Sequence, residues 1–421
     1  MIKLLVIADD FTGALDTGVQ FSKNGISTLV TFDRNICFET IGTETEVLVI
    51  DIESRHVPPQ DAYERVWQAA KTAIENGVTY FYKKTDSTLR GNIGAELTAL
   101  LEACENSNHL AFIPAFPKGM RTTKNGIQYV NNVELEKTEF SDDPFSPVKQ
   151  SSVVEIIRQQ SDVSVVSIPV DKYEEVVKKN DDKIMFVFDA QTDDDMFRLG
   201  YALKKANYLS VLAGCAGFAE MLPELIELPR TEMRWNGNRD NILVISGSVN
   251  QIAINQMNYA KEHGYVAITL SPQQKLNKKF AQSKTCADLV ETITCLLSEK
   301  KRVIVEAIST HEQLSDAEEY ARVHSIPLST CHLLVMKNIG ELVKQVIEKA
   351  SLGNLMVVGG DTLYGIMKKI HCDSILPVVE ITPGVVAATV ISKTRNIRII
   401  TKAGGFGQED IIDIIDDFVF A

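Results

Sequence analysis

Three carboxylates crowd the stretch Ala8-Asp9-Asp10-Phe11-Thr12-Gly13-Ala14-Leu15-Asp16. It follows an apolar run, Lys3–Ala8, that reads as a strand. An acid at a strand end cannot enter the core unpaired without a large desolvation cost. Asp9 and Asp10 therefore face a crevice, cap the next helix, or do both. In a crevice they would contact a polyol or a metal. A second cluster, Lys83-Lys84-Thr85-Asp86-Ser87-Thr88-Leu89-Arg90-Gly91, also follows an apolar run. From Lys83 to Lys124 there are six bases and four acids, a local balance of +2. Arginine recognises a carboxylate or phosphate through two parallel hydrogen bonds. Arg90 is thus a candidate clamp for a small anion, with Lys118 and Lys124 read equally well as solvated lysines.

A different chemistry appears later. Ser246-Gly247-Ser248-Val249-Asn250 joins an apolar run to a helical pattern, and Gly359-Gly360-Asp361-Thr362 repeats the arrangement. Gly404-Gly405-Phe406-Gly407 is a third glycine turn in the same half. Small residues there let backbone N–H groups and a helix N-terminus face an anion. One glycine turn is weak evidence, because tight turns need glycine anyway. Three together resemble a phosphate and nucleotide cleft. Several alternatives lack their signatures: no P-loop pattern, no dinucleotide Gly-x-Gly-x-x-Gly after the first strand, no His-Glu-x-x-His and no Gly-x-Ser-x-Gly elbow.

The elements that must position these residues read as α/β. Apolar runs expected as strands are Lys3–Ala8, Val47–Ile52, Thr79–Tyr82, Leu110–Ile113, Lys183–Phe188, Leu209–Leu212, Ile242–Ile245, Tyr265–Leu270, Arg302–Ala307, Asn354–Val358 and Ile397–Thr401. Nearly continuous apolar strands suit parallel sheets covered on both faces. Helical patterns at Asp61–Asn76, Gly94–Glu105 and Asn250–His263 lie between them. Polar turns after parallel strands mark the crevice where ligands bind. Two such crevices are expected, one per half. Leu228–Asn241 has linker composition, which divides the chain into domains 1–235 and 236–421, each with a mainly parallel sheet flanked by helices. Met120–Gln150 lacks clear periodicity and reads as a long loop or small excursion.

Composition bounds the partners. The chain has 421 residues and a net charge of −13, which disfavours nucleic acid and anionic membranes. No apolar run reaches the ~20 residues of a membrane span. Seven scattered cysteines without a Cys-x-x-Cys read as reduced core thiols of a cytoplasmic protein. An α/β enzyme of this size is expected to pair as a homodimer.

Taken together, Ile7–Asp16, Lys84–Asn92, Pro114-Ala115-Phe116-Pro117 with Arg121-Thr122-Thr123, Ser246-Gly247-Ser248, Gly359–Thr362 and Lys402–Gly407 resemble the four-carbon acid sugar kinase family. The matches run in order along essentially the whole chain. Lys118-Gly119-Met120 departs from the family tendency to place glycine directly before the arginine. The resemblance implies an N-terminal domain for a sugar-acid substrate and a C-terminal domain for ATP. It implies transfer of the γ-phosphoryl group to the terminal hydroxyl of D-threonate or D-erythronate, with a 3-oxo-tetronate as the alternative. Asp9 and Asp10 would then contact substrate hydroxyls, and Asp10 or Asp86 would act as base. Arg90, supported by Lys84, would hold the substrate carboxylate, and Arg121 would be a further substrate ligand. Ser246, Ser248, Gly359, Gly360, Asp361, Thr362 and Gly404 would line the ATP site. Asp361 would instead help to hold Mg²⁺ if the metal has a protein ligand. A sugar-acid dehydrogenase and a catalytically idle sugar-acid sensor are the competing readings.

Overall fold

The computed structural model describes residues 2–143, 146–177, 183–231, 235, 240–310, 312–391 and 396–420. The chain divides into two units, Met1–Met233 and Arg234–Ala421. Much of the expected linker, Leu228–Asn241, lies outside the described residues.

The first unit is built on eight parallel strands. They are β1 (Leu4–Ala8), β2 (Thr28–Thr31), β3 (Val47–Asp51), β4 (Tyr80–Lys84), β5 (His109–Ile113), β9 (Ser164–Ile168), β10 (Ile184–Phe188) and β11 (Val211–Gly214). Their order is β2-β3-β1-β4-β11-β5-β10-β9, with every neighbouring pair parallel. All five residues of β1 are buried, since β1 is central and helices cover the sheet. Helices Phe11–Ser22, Pro59–Glu75 and Ile93–Ala103 follow β1, β3 and β4. In a sheet of this order, the turns after β3, β1 and β4 emerge side by side.

The segment expected as a loop, Met120–Gln150, instead contains a three-stranded antiparallel sheet. Its strands are β6 (Arg121–Lys124), β7 (Ile127–Val130) and β8 (Val133–Glu134). Asn125 and Gly126 turn the first hairpin at φ of 53° and 72°. Positive φ at both residues is the signature of a type I′ turn, which Asn-Gly favours. The Asp189 carboxylate accepts both turn N–H groups, at 2.5 and 2.8 Å. The strands are short and carry polar side chains, so no apolar run announces them.

The second unit has seven strands: β12 (Ile242–Ser246), β13 (Val266–Thr269), β14 (Arg302–Glu306), β15 (Asn354–Val358), β16 (Ser374–Thr382), β17 (Val385–Val390) and β18 (Ile397–Lys402). Strands β13-β14-β12-β15-β18 are parallel, and β17 and β16 continue the sheet antiparallel. Its core joins Val244, Ile304, Met356 and Ile400 to Ala253, Met257, Ile412 and Ile415. The seven cysteines form no disulfide, but Cys37 and Cys295 are exposed rather than core thiols. Among the described residues no helix is long and apolar enough to cross a membrane.

Candidate functional site

In the first unit the register places Ala8 beside both Asp51 and Lys84. The turns that begin with Asp9, Ile52 and Thr85 therefore meet at one edge of the sheet. Their charges interlock through Arg55. Its Nε donates to Asp9 Oδ2 (2.7 Å), its Nη1 pairs with Asp10 Oδ2 (2.8 Å) and its Nη2 faces Asp86 Oδ1 (3.7 Å). The turn that carries Arg55 is fixed from behind. Asn92 Nδ2 donates to the carbonyls of Ser54 (2.8 Å) and Val57 (2.9 Å). Gly91, at φ 90°, lies so close to Arg55 that a Cβ there would meet its backbone at 3.3 Å.

The expected site residues fall around this arginine. Asp10 does cap a helix: its Oδ1 accepts Gly13 N–H (3.0 Å) while its other oxygen holds Arg55. Asp9 is buried, and its Oδ1 has no hydrogen-bond partner among the described residues. Burial pushes the Asp9 pKa up, but Arg55, Lys84 and Lys83 outweigh it and keep the carboxyl below its usual value. Asp86 is held well below the usual range, burial again opposing and Arg55 and Arg90 prevailing. Lys84 is buried at the end of β4, and its ammonium has no hydrogen bond or ion pair among the described residues. A Cβ on Gly13 would lie 2.5 Å from Asp10 Oδ1 and 2.6 Å from Lys84 Nζ. The two charged atoms are therefore at most about 5 Å apart.

Arg90 is engaged within the protein. Its Nε and Nη2 donate to Asp86 (2.8 and 3.1 Å) and its Nη1 to Asp143 (3.1 Å). Its guanidinium also lies over the Phe140 ring. Arg121 opens β6, and its Nη1 donates to the Gly119 carbonyl. Its Nε is buried with no partner among the described residues, and burial lowers its pKa despite the attraction of Asp86. Gln128 of β7 ties the small sheet to this crevice by donating to the Ser87 carbonyl (3.2 Å). Lys118 pairs with Glu220 at the surface (2.7 Å). Lys83 points to the opposite side of β4 and pairs with buried Glu96 (3.0 Å). The expectation for Arg90 assigned it a carboxylate of the substrate. Here its donors meet protein carboxylates, and Arg55 is the hub that the sequence reading passed over.

In the second unit the three glycine turns converge. Ser246 ends β12, Gly359 follows β15 and Gly404 follows β18. A Cβ on Gly247 would lie 2.0 Å from Thr362 Oγ1, and one on Gly404 would lie 2.5 Å from Ser248 Oγ. A Cβ on Gly359 would approach both Thr362 and Ser248, at 3.6 and 3.8 Å. Gly359 also adopts φ 107°, which favours glycine. Behind it Gly360 starts the helix Gly360–Lys369. Asn250 caps the helix Gln251–Glu262 by accepting Ile252 N–H (2.9 Å). Buried Gln256 of that helix donates to the carbonyls of Phe406, Gly407 and Gln408 (3.1, 3.1 and 2.9 Å), fixing the third turn. Backbone, hydroxyls and two helix N-termini thus share a space that side chains would fill, which suits a polyphosphate. Asp361 is exposed in the first turn of its helix. Among the described residues no group of three or more His, Cys, Asp or Glu is arranged to hold a metal.

A family model described as a sugar-binding N-terminal domain matches residues 4–222, and one described as a nucleotide-binding C-terminal domain matches residues 243–412. A D-threonate kinase of Salmonella typhimurium is 29% identical, over 98% of this chain and 97% of its own length. A D-erythronate kinase of Heliobacterium modesticaldum is 26% identical, over 97% of this chain and 95% of its own. A 3-oxo-tetronate kinase of Pseudomonas savastanoi pv. phaseolicola is 25% identical, over 96% and 94%. A crystal structure from Salmonella typhimurium shares the fold, with a TM-score of 0.83 over 99% of both chains at 22% identity. With its sugar-binding N-terminal domain and nucleotide-binding C-terminal domain, the chain belongs to the four-carbon acid sugar kinase family.

Proposed function

We propose that the protein transfers the γ-phosphoryl group of ATP to the terminal (4-) hydroxyl of a four-carbon sugar acid, D-threonate or D-erythronate. A 3-oxo-tetronate is the alternative acceptor. The observation that carries this reading is the pairing of two unlike crevices in one chain. One holds Asp9, Asp10, Lys84 and Asp86 around Arg55, and the other holds three converging glycine turns.

The roles follow from exposure and charge. Asp9 Oδ1 is an unused acceptor for a sugar hydroxyl. Lys84 makes no close ion pair among the described residues and suits the substrate's carboxylate or the arriving phosphoryl group. Asp10, with its side chain 30% exposed, is the better candidate for receiving the hydroxyl proton. Asp86 is held too far below the usual carboxylate range by its arginines to compete for a proton. Phosphoryl transfer depends mostly on positioning and charge stabilisation. Arg55 supplies the positioning by fixing three carboxylates at once. Ser246, Ser248, Gly359 to Thr362 and Gly404 bind the nucleotide phosphates. Mg²⁺ bound with the triphosphate would neutralise phosphate charge, with Asp361 as its candidate protein ligand.

The reading includes a cytoplasmic setting and assembly of two copies, which the mass in solution tests. The test of function is ADP release with MgATP across D-threonate, D-erythronate and 3-oxo-tetronates. Turnover with at least one is expected. No turnover with any of them would remove the substrate class. A thermal-shift comparison separates the dehydrogenase alternative: MgATP should stabilise the protein and NAD should not.

A further inference from the structure

Lys402 ends β18 and is almost fully buried, at 2% exposure. Lysine is seldom buried without a partner of opposite charge. Among the described residues no carboxylate pairs with it. Its Nζ donates to the backbone carbonyls of Ala403 (2.9 Å) and Gly404 (3.4 Å) and, among the described residues, to nothing else. Among the described residues no ionisable group shifts its titration, although Asp361 stands in the neighbouring second glycine turn. Val358 and Val385 lie opposite it on β15 and β17, the turn Ala403–Gly407 carries no ionisable side chain, and uncharged Gln256 holds that turn from its helix. Burial alone lowers its pKa to about 8.

The position of this ammonium is informative. The Lys402 carbonyl accepts Gly359 N–H (3.0 Å), so its backbone anchors the second glycine turn. Its Nζ bonds Gly404 of the third turn, where a Cβ would lie 2.5 Å from Ser248 Oγ. Two of its three N–H donors are used, and the third is free for an acceptor. A lone cation at the junction of glycine turns is complementary to a polyphosphate. We infer that Lys402 is a nucleotide-binding residue that donates its remaining hydrogen bond to a phosphate oxygen of the bound nucleotide. The inference rests on the proposal that this unit binds ATP. A lysine that merely caps the turn would hold the same two carbonyls but would not sense the nucleotide.

The test is calorimetric titration of MgATP into the full-length protein at pH 8, in two buffers of different ionisation enthalpy. An anion beside Lys402 raises its pKa, so the wild type should take up close to half a proton on binding. Its affinity should also fall as pH rises above about 8. Lys402→Met should bind roughly 10- to 100-fold more weakly, as for loss of a charged hydrogen bond. It should take up no proton. Lys402→Arg should keep most of the affinity and lose the pH dependence. Wild-type binding without proton uptake would reduce Lys402 to a turn cap, even if Lys402→Met fails to fold. Equal affinity and uptake in a folded Lys402→Met would do the same. Absence of MgATP binding by the wild type would overturn the functional reading itself, and this inference with it.

Discussion

Replacing Arg55 with methionine removes the cation shared by Asp9, Asp10 and Asp86. Methionine keeps much of the buried volume, so the change is chiefly one of charge. The Arg55 side chain is 10% exposed and that of Asp9 only 2%, so solvent screens this loss weakly. Breaking a buried ion pair by deleting one partner costs about 3–5 kcal/mol. In a folding unit of 150–250 residues each 1 kcal/mol moves Tm by about 2–4 °C. The first unit should therefore melt roughly 6–20 °C lower at pH 7 in scanning calorimetry. The pH dependence has a definite sign. Asp9 and Asp86 have folded pKa values below their unfolded ones, so their stabilisation is complete above the unfolded pKa of about 4. It is lost as pH falls through the folded values. The gap between wild type and variant should be full at pH 7 and should narrow below about pH 4. Arg55→Lys keeps the charge without the fork and should fall between the two. A Tm change under about 2 °C, or a gap that widens on acidification, would refute the claim that Arg55 holds the three carboxylates.

Three further substitutions separate the two crevices. Gly13→Ala inserts a methyl group 2.5 Å from Asp10 Oδ1 and 2.6 Å from Lys84 Nζ. It should impair turnover and sugar-acid KM by at least about tenfold while MgATP affinity holds, and an equal loss of both would count against this assignment. Gly247→Ala places a methyl group 2.0 Å from Thr362 Oγ1. MgATP affinity should fall by about tenfold or more, with partial recovery in the double variant carrying Thr362→Ala, and no recovery would mean the clash lies elsewhere. Asp51 is buried, and burial raises its pKa well above the usual carboxylate value. A raised folded pKa gives stability below the unfolded value of about 4 that is lost as pH rises. Asp51→Asn has no such loss, so its Tm advantage over wild type should grow from pH 4 to pH 7. A constant difference would show that Asp51 is not protonated in the fold.

The parallel framework was legible because its strands are continuous apolar runs. Every run expected as a strand forms one, as with Lys3–Ala8 and β1 (Leu4–Ala8), or Leu209–Leu212 and β11 (Val211–Gly214). Apolar β17 (Val385–Val390) escaped nonetheless, and so did strands with less apolar signal. β9 lies at the sheet edge and alternates buried with exposed residues, while Pro377 interrupts β16 and its register slips beside it. The Asn125-Gly126 hairpin had a readable signature in its turn rather than its strands. The glycine turns were visible because each follows its own strand within a few residues. Arg55 was not, because its role depends on strand order. Asp9, Arg55 and Asp86 meet only because β3 and β4 flank β1, and Arg55 is 46 residues from Asp9. Gln256 was hidden for a similar reason, and Lys402, although it opens the Lys402–Gly407 motif, gave no sign of its role. A polar residue in an apolar segment reads as an anomaly until the turn it supports is known.

The proposed reaction moves a phosphoryl group from ATP to the terminal hydroxyl of a four-carbon sugar acid. Phosphorus NMR of the product tests it most directly, with D-threonate and D-erythronate supplied in turn with MgATP. The expected product gives a phosphomonoester signal split into a triplet by the two protons on C4, formed in step with ADP. A doublet from phosphate on C2 or C3, or ADP accompanied only by inorganic phosphate, would contradict it.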